Sequence, residues 1–368
     1  MGFVVPHMTS LFEPFKIGRY TLNNRITMAA LTRQRAGRSG VPVEMHAEYY
    51  AQRASAGLVV TEGTFPAVSS RAFPGQAGVE TQEQQDGWTR VAREVHERGG
   101  LLFMQVMHGG RMSHPDLLEG QAPEAPSAIA SGTQVHTFDH KVDAAVPRAL
   151  EAEEMPRIVE EFRAAARRAI DAGLDGVEIH GANGYLLHEF LAPSSNQRTD
   201  EFGGSPENRR RLPEMVIRSV AEEIGADRVG LRLSPEHNIQ GVLENDSDDV
   251  LATYRGLLEG ISDLKLAYVS LLHKDAITSE LIGALVEAAR SNGETKVILN
   301  TGFATVTDKA EAEELLASGR ADAVAVGREL IANPDLVRRW EEGLALNTPD
   351  PATFYASGPR GYTDYPSV

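Results

Sequence analysis

Residues 153–182 read EEMPRIVEEFRAAARRAIDAGLDGVEIHGA. Within them Ile158, Phe162, Ala165 and Ala169 recur at steps of four, three and four residues, which puts one apolar stripe along a helix that Gly173 stops. The following GVEIHGA (176–182) is a short, β-prone run with apolar residues on both faces, as a strand buried between two layers requires. This helix-then-strand unit recurs in both directions. Upstream lie RITMAAL (25–31), GLVVTEG (57–63) and LLFMQVM (101–107); downstream lie VGLRLSP (229–235), LAYVSLL (266–272), KVILNTG (296–302) and DAVAVGR (322–328). Eight such strands, separated by amphipathic stretches, predict a closed parallel (β/α)8 TIM barrel, in the α/β class, over an open doubly wound sheet. FKIGRYTLNNRI (15–26) reads as an N-terminal hairpin placed to plug the barrel's lower mouth.

One connection breaks the rhythm. From Gly109 to Ala152, after the third strand, the chain carries Pro115, Pro123, Pro126 and Pro147 before its helix begins. A loop of that length in a compact domain reads as a lid or binding loop. MGFVVPHM (1–8) has no periodicity and is expected to be a tail, with a single barrel domain over 9–368.

The 368 residues include 36 Lys+Arg and 52 Asp+Glu, a formal charge of −16, with 42% hydrophobic and 24% charged residues. That balance supplies a large core and argues against a nucleic-acid or anionic-membrane surface, which needs clustered cations. No apolar run is long enough to span a bilayer and no charged-then-apolar leader opens the sequence, so a cytoplasmic protein with small-molecule partners is expected. The oligomeric state stays open. With zero cysteines there is no disulfide, thiolate nucleophile, Cys-ligated zinc or iron–sulfur cluster.

Barrel enzymes place their chemistry at the C-terminal ends of the strands. Here those ends carry Thr32, Arg33, Glu62, Gln105, His108, His180, Asn183, Tyr185, Arg232, His273, Lys274, Asn300, Thr301 and Arg328. After the seventh and eighth strands, NTGF (300–303) and VGRELIANPDL (326–336) suit a phosphate: Gly302 and Gly327 allow close approach to backbone N–H groups, and Arg328 adds a charged fork. Spacing alone equally allows those glycines to be tight turns. His180 and Asn183 can aim two N–H donors at one oxygen, while the Tyr185 phenol can give up a proton, which fits a carbonyl substrate whose neighbouring carbon needs one. Glu178, His180 and His188 make a poor metal set because Glu178 sits within the strand, so no metal site is expected. Lys274, two residues past the sixth strand, opens an alternative: a Schiff-base lyase or aldolase.

From about Ser10 to Pro366 the chain resembles the Old Yellow Enzyme family of FMN-dependent ene-reductases. The most specific segment is GVEIHGANGYLLHEFLAPSSNQRTDEFGGSPENRRR (176–211), supported by MAALTR (28–33), HGGRMSHP (108–115), RLSP (232–235), VGRELIANPDL (326–336) and TFYASGPRGYTDYP (353–366). The resemblance implies noncovalent FMN, with its phosphate at Thr301, Gly302, Gly327 and Arg328. It places Thr32 at the flavin C4 carbonyl, Gln105 at the pyrimidine edge, Arg232 at the N1 and C2 side, and Gly63 against the ring. Hydride would pass in a ping-pong scheme from NADPH or NADH to flavin, then to Cβ of an activated alkene, an α,β-unsaturated carbonyl or nitro compound. His180 and Asn183 would bind the substrate oxygen, Tyr185 would protonate Cα, and Phe73, Met107 and Tyr355 would line the substrate space. Three positions depart from the family pattern: Ala30 replaces Pro, Glu189 replaces Gln, and Met107 stands where many members carry Trp.

Overall fold

The computed structural model describes residues 10–302 and 306–368; the tail and residues 303–305, including the last residue of the NTGF run, lie outside them. The eight runs are the eight strands of a closed parallel barrel: β1 Ile26–Met28, β2 Leu58–Val60, β3 Leu102–Val106, β4 Gly176–Gly181, β5 Val229–Leu233, β6 Tyr268–Leu272, β7 Lys296–Asn300 and β8 Ala323–Val326. Each strand pairs with its neighbours in sequence, and β8 closes on β1 through Val324↔Ile26 and Val326↔Met28. Several strands are shorter than their apolar runs. At β1, for example, the last ladder bond runs from the Ala29 N–H to the Val326 carbonyl (3.0 Å), after which 30–35 leave the sheet to build the mouth.

Between β3 and β4 the helix Met155–Asp171 buries Ile158, Phe162, Ala165 and Ala169 as the stripe requires. Its end is a Schellman turn: Gly173, at φ +92°, donates to Ile170 (2.9 Å) and Leu174 donates to Ala169 (3.0 Å). The lower mouth is closed by the hairpin Phe15–Ile17/Tyr20–Leu22. Phe15, Ile17 and Leu22 pack against Leu58, Phe103, Ile298 and Ala325 inside the barrel, each burial stabilising by about 1.5–3 kcal/mol. Gly18 makes the turn at φ +52°, where a Cβ would fall 2.0 Å from the Asp227 carbonyl oxygen.

The long connection is built, not slack. Glu124–Ala125 pairs in parallel with Arg148–Ala149, and Gln134–His136 pairs with Lys141–Asp143 as a hairpin over the upper mouth. No helix among the described residues is long and apolar enough to cross a membrane.

Candidate active site

The parallel register stacks the polar strand-end residues in layers. In the lower layer Glu178 on β4 stands opposite Gln105 on β3. The Gln105 amide Nε2 donates to Glu178 Oε1 (2.7 Å) and the Tyr268 hydroxyl donates to Oε2 (2.9 Å), while burial pushes the carboxyl's pKa up. Both carboxylate oxygens are thereby engaged. This bond fixes the orientation of the Gln105 amide, with its carbonyl oxygen on the side away from Glu178 as an acceptor.

One layer higher, His180 on β4 is level with Arg232 on β5, and Arg232 with Ser270 on β6. Arg232 is buried, donating from Nη1 to Ser270 Oγ (2.8 Å) and from Nη2 to Asn300 Oδ1 (3.2 Å). Both acceptors are neutral, so this guanidinium has no carboxylate in contact among the described residues. A buried cation that faces a cavity, hydrogen-bonded only to neutral oxygens and with the Glu178 carboxyl acting on it through space, suits a ligand that is, or becomes, electron-rich.

A second cavity beside it is lined by Ala30, Leu31, Arg232, Gly302, Gly327 and Arg328 among others. Gly302 holds φ +105°, and Arg328 opens the short helix Arg328–Ala332 with Gly327 at its N-cap. The Thr301 hydroxyl donates to the Glu311 carboxylate. At the rim of β2, a Cβ on Gly63 would come 2.7 Å from Met107 Sδ and 3.3 Å from Gln105 Oε1, so a side chain there would displace Met107. Thr32 is half-buried at this mouth. The loop carrying it is pinned by Glu62, whose Oε2 accepts the Arg33 N–H (3.3 Å); burial pushes this carboxyl up to about 7. Taken together, the buried guanidinium with only neutral hydrogen-bond partners, the Gln105 carbonyl oxygen, and the glycines at 63 and 302 fit the flavin mononucleotide that the resemblance implies.

His180, Asn183 and Tyr185 converge above this layer. The His180 Nδ1 is buried without a partner, and burial, then Arg232 and His188, pull the imidazole's pKa well below its ordinary value. It is therefore neutral at pH 7 and offers one N–H. Asn183 sits at φ +59°, held by its N–H to Ser234 Oγ (2.8 Å) and by Gln240 Nε2 donating to its carbonyl (2.7 Å). Its buried side-chain Oδ1 is left unpaired. Tyr185 lies with its ring centroid 5.3 Å from that of His180, and burial pushes its phenol up to about 12, so it carries its proton throughout the neutral range.

Tyr185 also forms one wall of a cavity of about 800 Å³, with Phe73, Met112, His136, Gln240 and Tyr355 around it. Met107 is buried in the apolar cluster with Tyr185, Ala72, Met112 and Val135, while Met112 from the long loop lies on the cavity wall. Tyr355 is 56% exposed and stands over the hairpin, its ring centroid 6.2 Å from that of His136.

Three strand-end residues turn out to be structural. His108 accepts the Gly110 N–H at Nδ1 (3.0 Å), His273 accepts that of Asp275 (3.0 Å), and Arg33 is committed to the carbonyls of Phe354 and Gly361 and to the Tyr49 hydroxyl. Lys274 is exposed at the cavity rim, whereas a Schiff-base lysine needs desolvation, which removes the lyase reading. The structure adds Ser234, Gln240, Ser270 and Met112. Ser234 is legible as part of RLSP, but nothing in the sequence marks Gln240, which arrives from the loop after β5. At the departure from the family pattern, Glu189 Oε1 accepts the Arg111 N–H (2.9 Å) while Oε2 is buried and unpaired; burial pushes this carboxyl up to about 8.

Comparison with known proteins agrees with this architecture. The sequence profile of the NADH:flavin oxidoreductase / NADH oxidase family matches residues 10–347. A probable flavin mononucleotide-dependent alkene reductase of Leishmania infantum is 40% identical, the alignment covering 97% of each chain. The 12-oxophytodienoate reductase 1 of Oryza sativa subsp. japonica is 39% identical, over 97% of this chain and 92% of that one. Among solved structures, the old yellow enzyme homologue from Zymomonas mobilis superposes with a TM-score of 0.90 at 40% identity, covering 98% of this chain and all (100%) of that one. Morphinone reductase in complex with tetrahydroNAD gives a TM-score of 0.90 at 40% identity, over 98% of each chain.

Proposed function

The chain belongs to the NADH:flavin oxidoreductase / NADH oxidase family, and from that premise we propose that it is an FMN-dependent ene-reductase whose substrate oxygen is held by His180 and Asn183 and whose proton donor is Tyr185. The observation that carries the reading is what meets at one mouth: the unpaired His180 Nδ1, the Asn183 amide, and a buried Arg232 guanidinium whose direct partners are neutral oxygens.

FMN, when bound, would supply the hydride chemistry between NADPH or NADH and the β-carbon of an α,β-unsaturated carbonyl or nitro compound. The chain's own groups divide the remaining work. Arg232, held by Ser270 and Asn300, would present a fixed positive charge to the electron-rich side of the ring, and the Gln105 oxygen would accept from the pyrimidine edge. Thr32, Gly63, Thr301, Gly302, Gly327 and Arg328 complete the cradle in this proposal.

His180, being neutral, binds the substrate oxygen through an N–H and does not compete with it for a proton. Asn183 adds a second donor, and together they stabilise the negative charge that develops on that oxygen. A phenol pushed up to about 12 is a weak acid, yet the enolate carbon is far more basic, so proton transfer from Tyr185 runs downhill at that one moment and not before. Phe73, Met112 and Tyr355 wall the space around the alkene. The partner is thus a small activated alkene.

The test is product analysis: FMN-loaded protein incubated anaerobically with NADPH and cyclohex-2-enone should form cyclohexanone in step with NADPH consumed. No cyclohexanone under nitrogen, with NADPH consumed only once air is admitted, would make the protein an oxidase and refute the assignment.

A further inference from the structure

Tyr355 reaches the substrate cavity from a segment outside the barrel, the turn 353–361 near the C-terminus. The contacts that hold this turn come from the loop that follows β1. Arg33 donates from Nε to the Phe354 carbonyl (3.0 Å) and from Nη2 to that of Gly361 (2.7 Å). Arg35 donates to the carbonyls of Gly358 (3.0 Å), Phe354 (3.1 Å), Thr353 (2.9 Å) and Arg360 (3.1 Å). Two guanidiniums thus capture five carbonyls of one short turn, while Arg35 also donates to the Arg33 carbonyl (2.7 Å) and so locks the pair to each other.

Both side chains are buried, and neither has a carboxylate within ion-pairing distance among the described residues. Burying a cation against neutral carbonyls is a costly way to gain stability, because desolvation offsets most of it. What the arrangement secures is geometry, since a planar fork with five donors fixes direction as an ammonium does not. Below the forks, Tyr362 stacks on Tyr49 with ring centroids 3.9 Å apart and planes 7° from parallel, a firm base from which the turn is set. The other end of the same loop is Thr32, at the flavin mouth.

We propose that Arg35, acting with Arg33, is a positioning residue that fixes the turn 353–361 and so sets where Tyr355 closes the substrate space, making these buried arginines determinants of which alkenes fit. The proposal rests on the ene-reductase reading and deepens it: the β1 loop serves the flavin side through Thr32 and the substrate side through Tyr355.

The experiment is a double-mutant cycle on the FMN-loaded full chain with cyclohex-2-enone and the longer 4-phenylbut-3-en-2-one. Arg35→Lys should raise KM for the longer enone at least fivefold while changing kcat for cyclohexenone less than twofold and leaving FMN affinity and the flavin spectrum unmoved. In a Tyr355→Ala background, Arg35→Lys should add less than a twofold change, because the wall it positions is gone. Should Arg35→Lys prove unstable, Gly358→Ala perturbs the same turn from its open side: Gly358 holds φ +79°, an added Cβ would meet nothing within 4 Å, and the variant should shift KM in the same direction. Equal Arg35→Lys effects with Tyr355 intact and in the Tyr355→Ala background, or wild-type KM values in both turn variants, would overturn the proposal. Wild-type protein that reduces neither enone would instead overturn the functional reading beneath it.

Discussion

The two ends of the barrel use the same eight strands for opposite purposes. At the lower end the hairpin fills the mouth with Phe15, Ile17 and Leu22, and the interior is apolar and closed. At the upper end His180, Asn183 and Glu189 keep buried polar atoms without partners, and the hydrogen bonds that Arg232 makes there go to neutral oxygens. Tyr268 marks the border: its ring belongs to the lower cluster while its hydroxyl donates to Glu178 (2.9 Å). The contrast separates stability from reactivity, because a barrel needs only one end closed by packing to leave the other free to carry unsatisfied groups for a ligand.

Substitutions at either end test that separation, and the largest effect is expected above. Tyr185→Phe should slow flavin reoxidation by an enone by about 10² to 10⁴ while leaving reduction by NADPH nearly intact, since only the second half-reaction needs the proton. Stopped-flow traces with both halves equally slowed would make the tyrosine structural. Below, Leu22→Ala should cost about 2–5 kcal/mol in denaturant unfolding, with kcat per folded molecule unchanged. A large loss of kcat would mean the ends are mechanically coupled.

Glu189 offers a pH-dependent test of the upper end. Its folded pKa of about 8 lies above the reference 4.5, so the folded chain holds an extra proton between those values. That contribution to stability is full below pH 4.5 and is lost progressively up to pH 8, by up to about 1.4 kcal/mol per pH unit. Glu189→Gln lacks the titration, so its melting temperature should overtake the parent's as pH rises toward 8 and keep a constant lead above it. Parallel curves from pH 5 to 9, measured by calorimetry, would place the carboxyl's titration elsewhere. Smallest is Thr32→Ala: removing a donor of about 0.5–1.5 kcal/mol from the flavin C4 carbonyl should lower the midpoint potential by roughly 10–30 mV. A potential that is unchanged or raised would remove Thr32 from the cradle.

The barrel is legible in the sequence because strands buried on both faces must be apolar throughout, and the helix at 155–171 declares itself through its stripe and Gly173. Strand ends are less legible. RITMAAL and GLVVTEG extend past Met28 and Val60 because apolar residues continue after the backbone has left the ladder. His180, Asn183 and Tyr185 are readable because six residues of chain hold all three. Gln240, which grips Asn183 from the loop after β5, and Arg35, which grips the C-terminal turn from more than 300 residues away, leave no local pattern, since their contacts are set by folding alone. Lys274 shows the reverse error: its place after β6 suggests chemistry, but the amine is in solvent.

The most direct test of an FMN site built at the open end is an anaerobic spectroscopic titration of the purified protein loaded with FMN. The account predicts a yellow protein that bleaches with one equivalent of NADPH, regains its colour on addition of one equivalent of cyclohex-2-enone, and releases FMN on denaturation. A protein that stays colourless after incubation with FMN, or a bound flavin that NADPH bleaches and no enone or nitroalkene reoxidises, would contradict it.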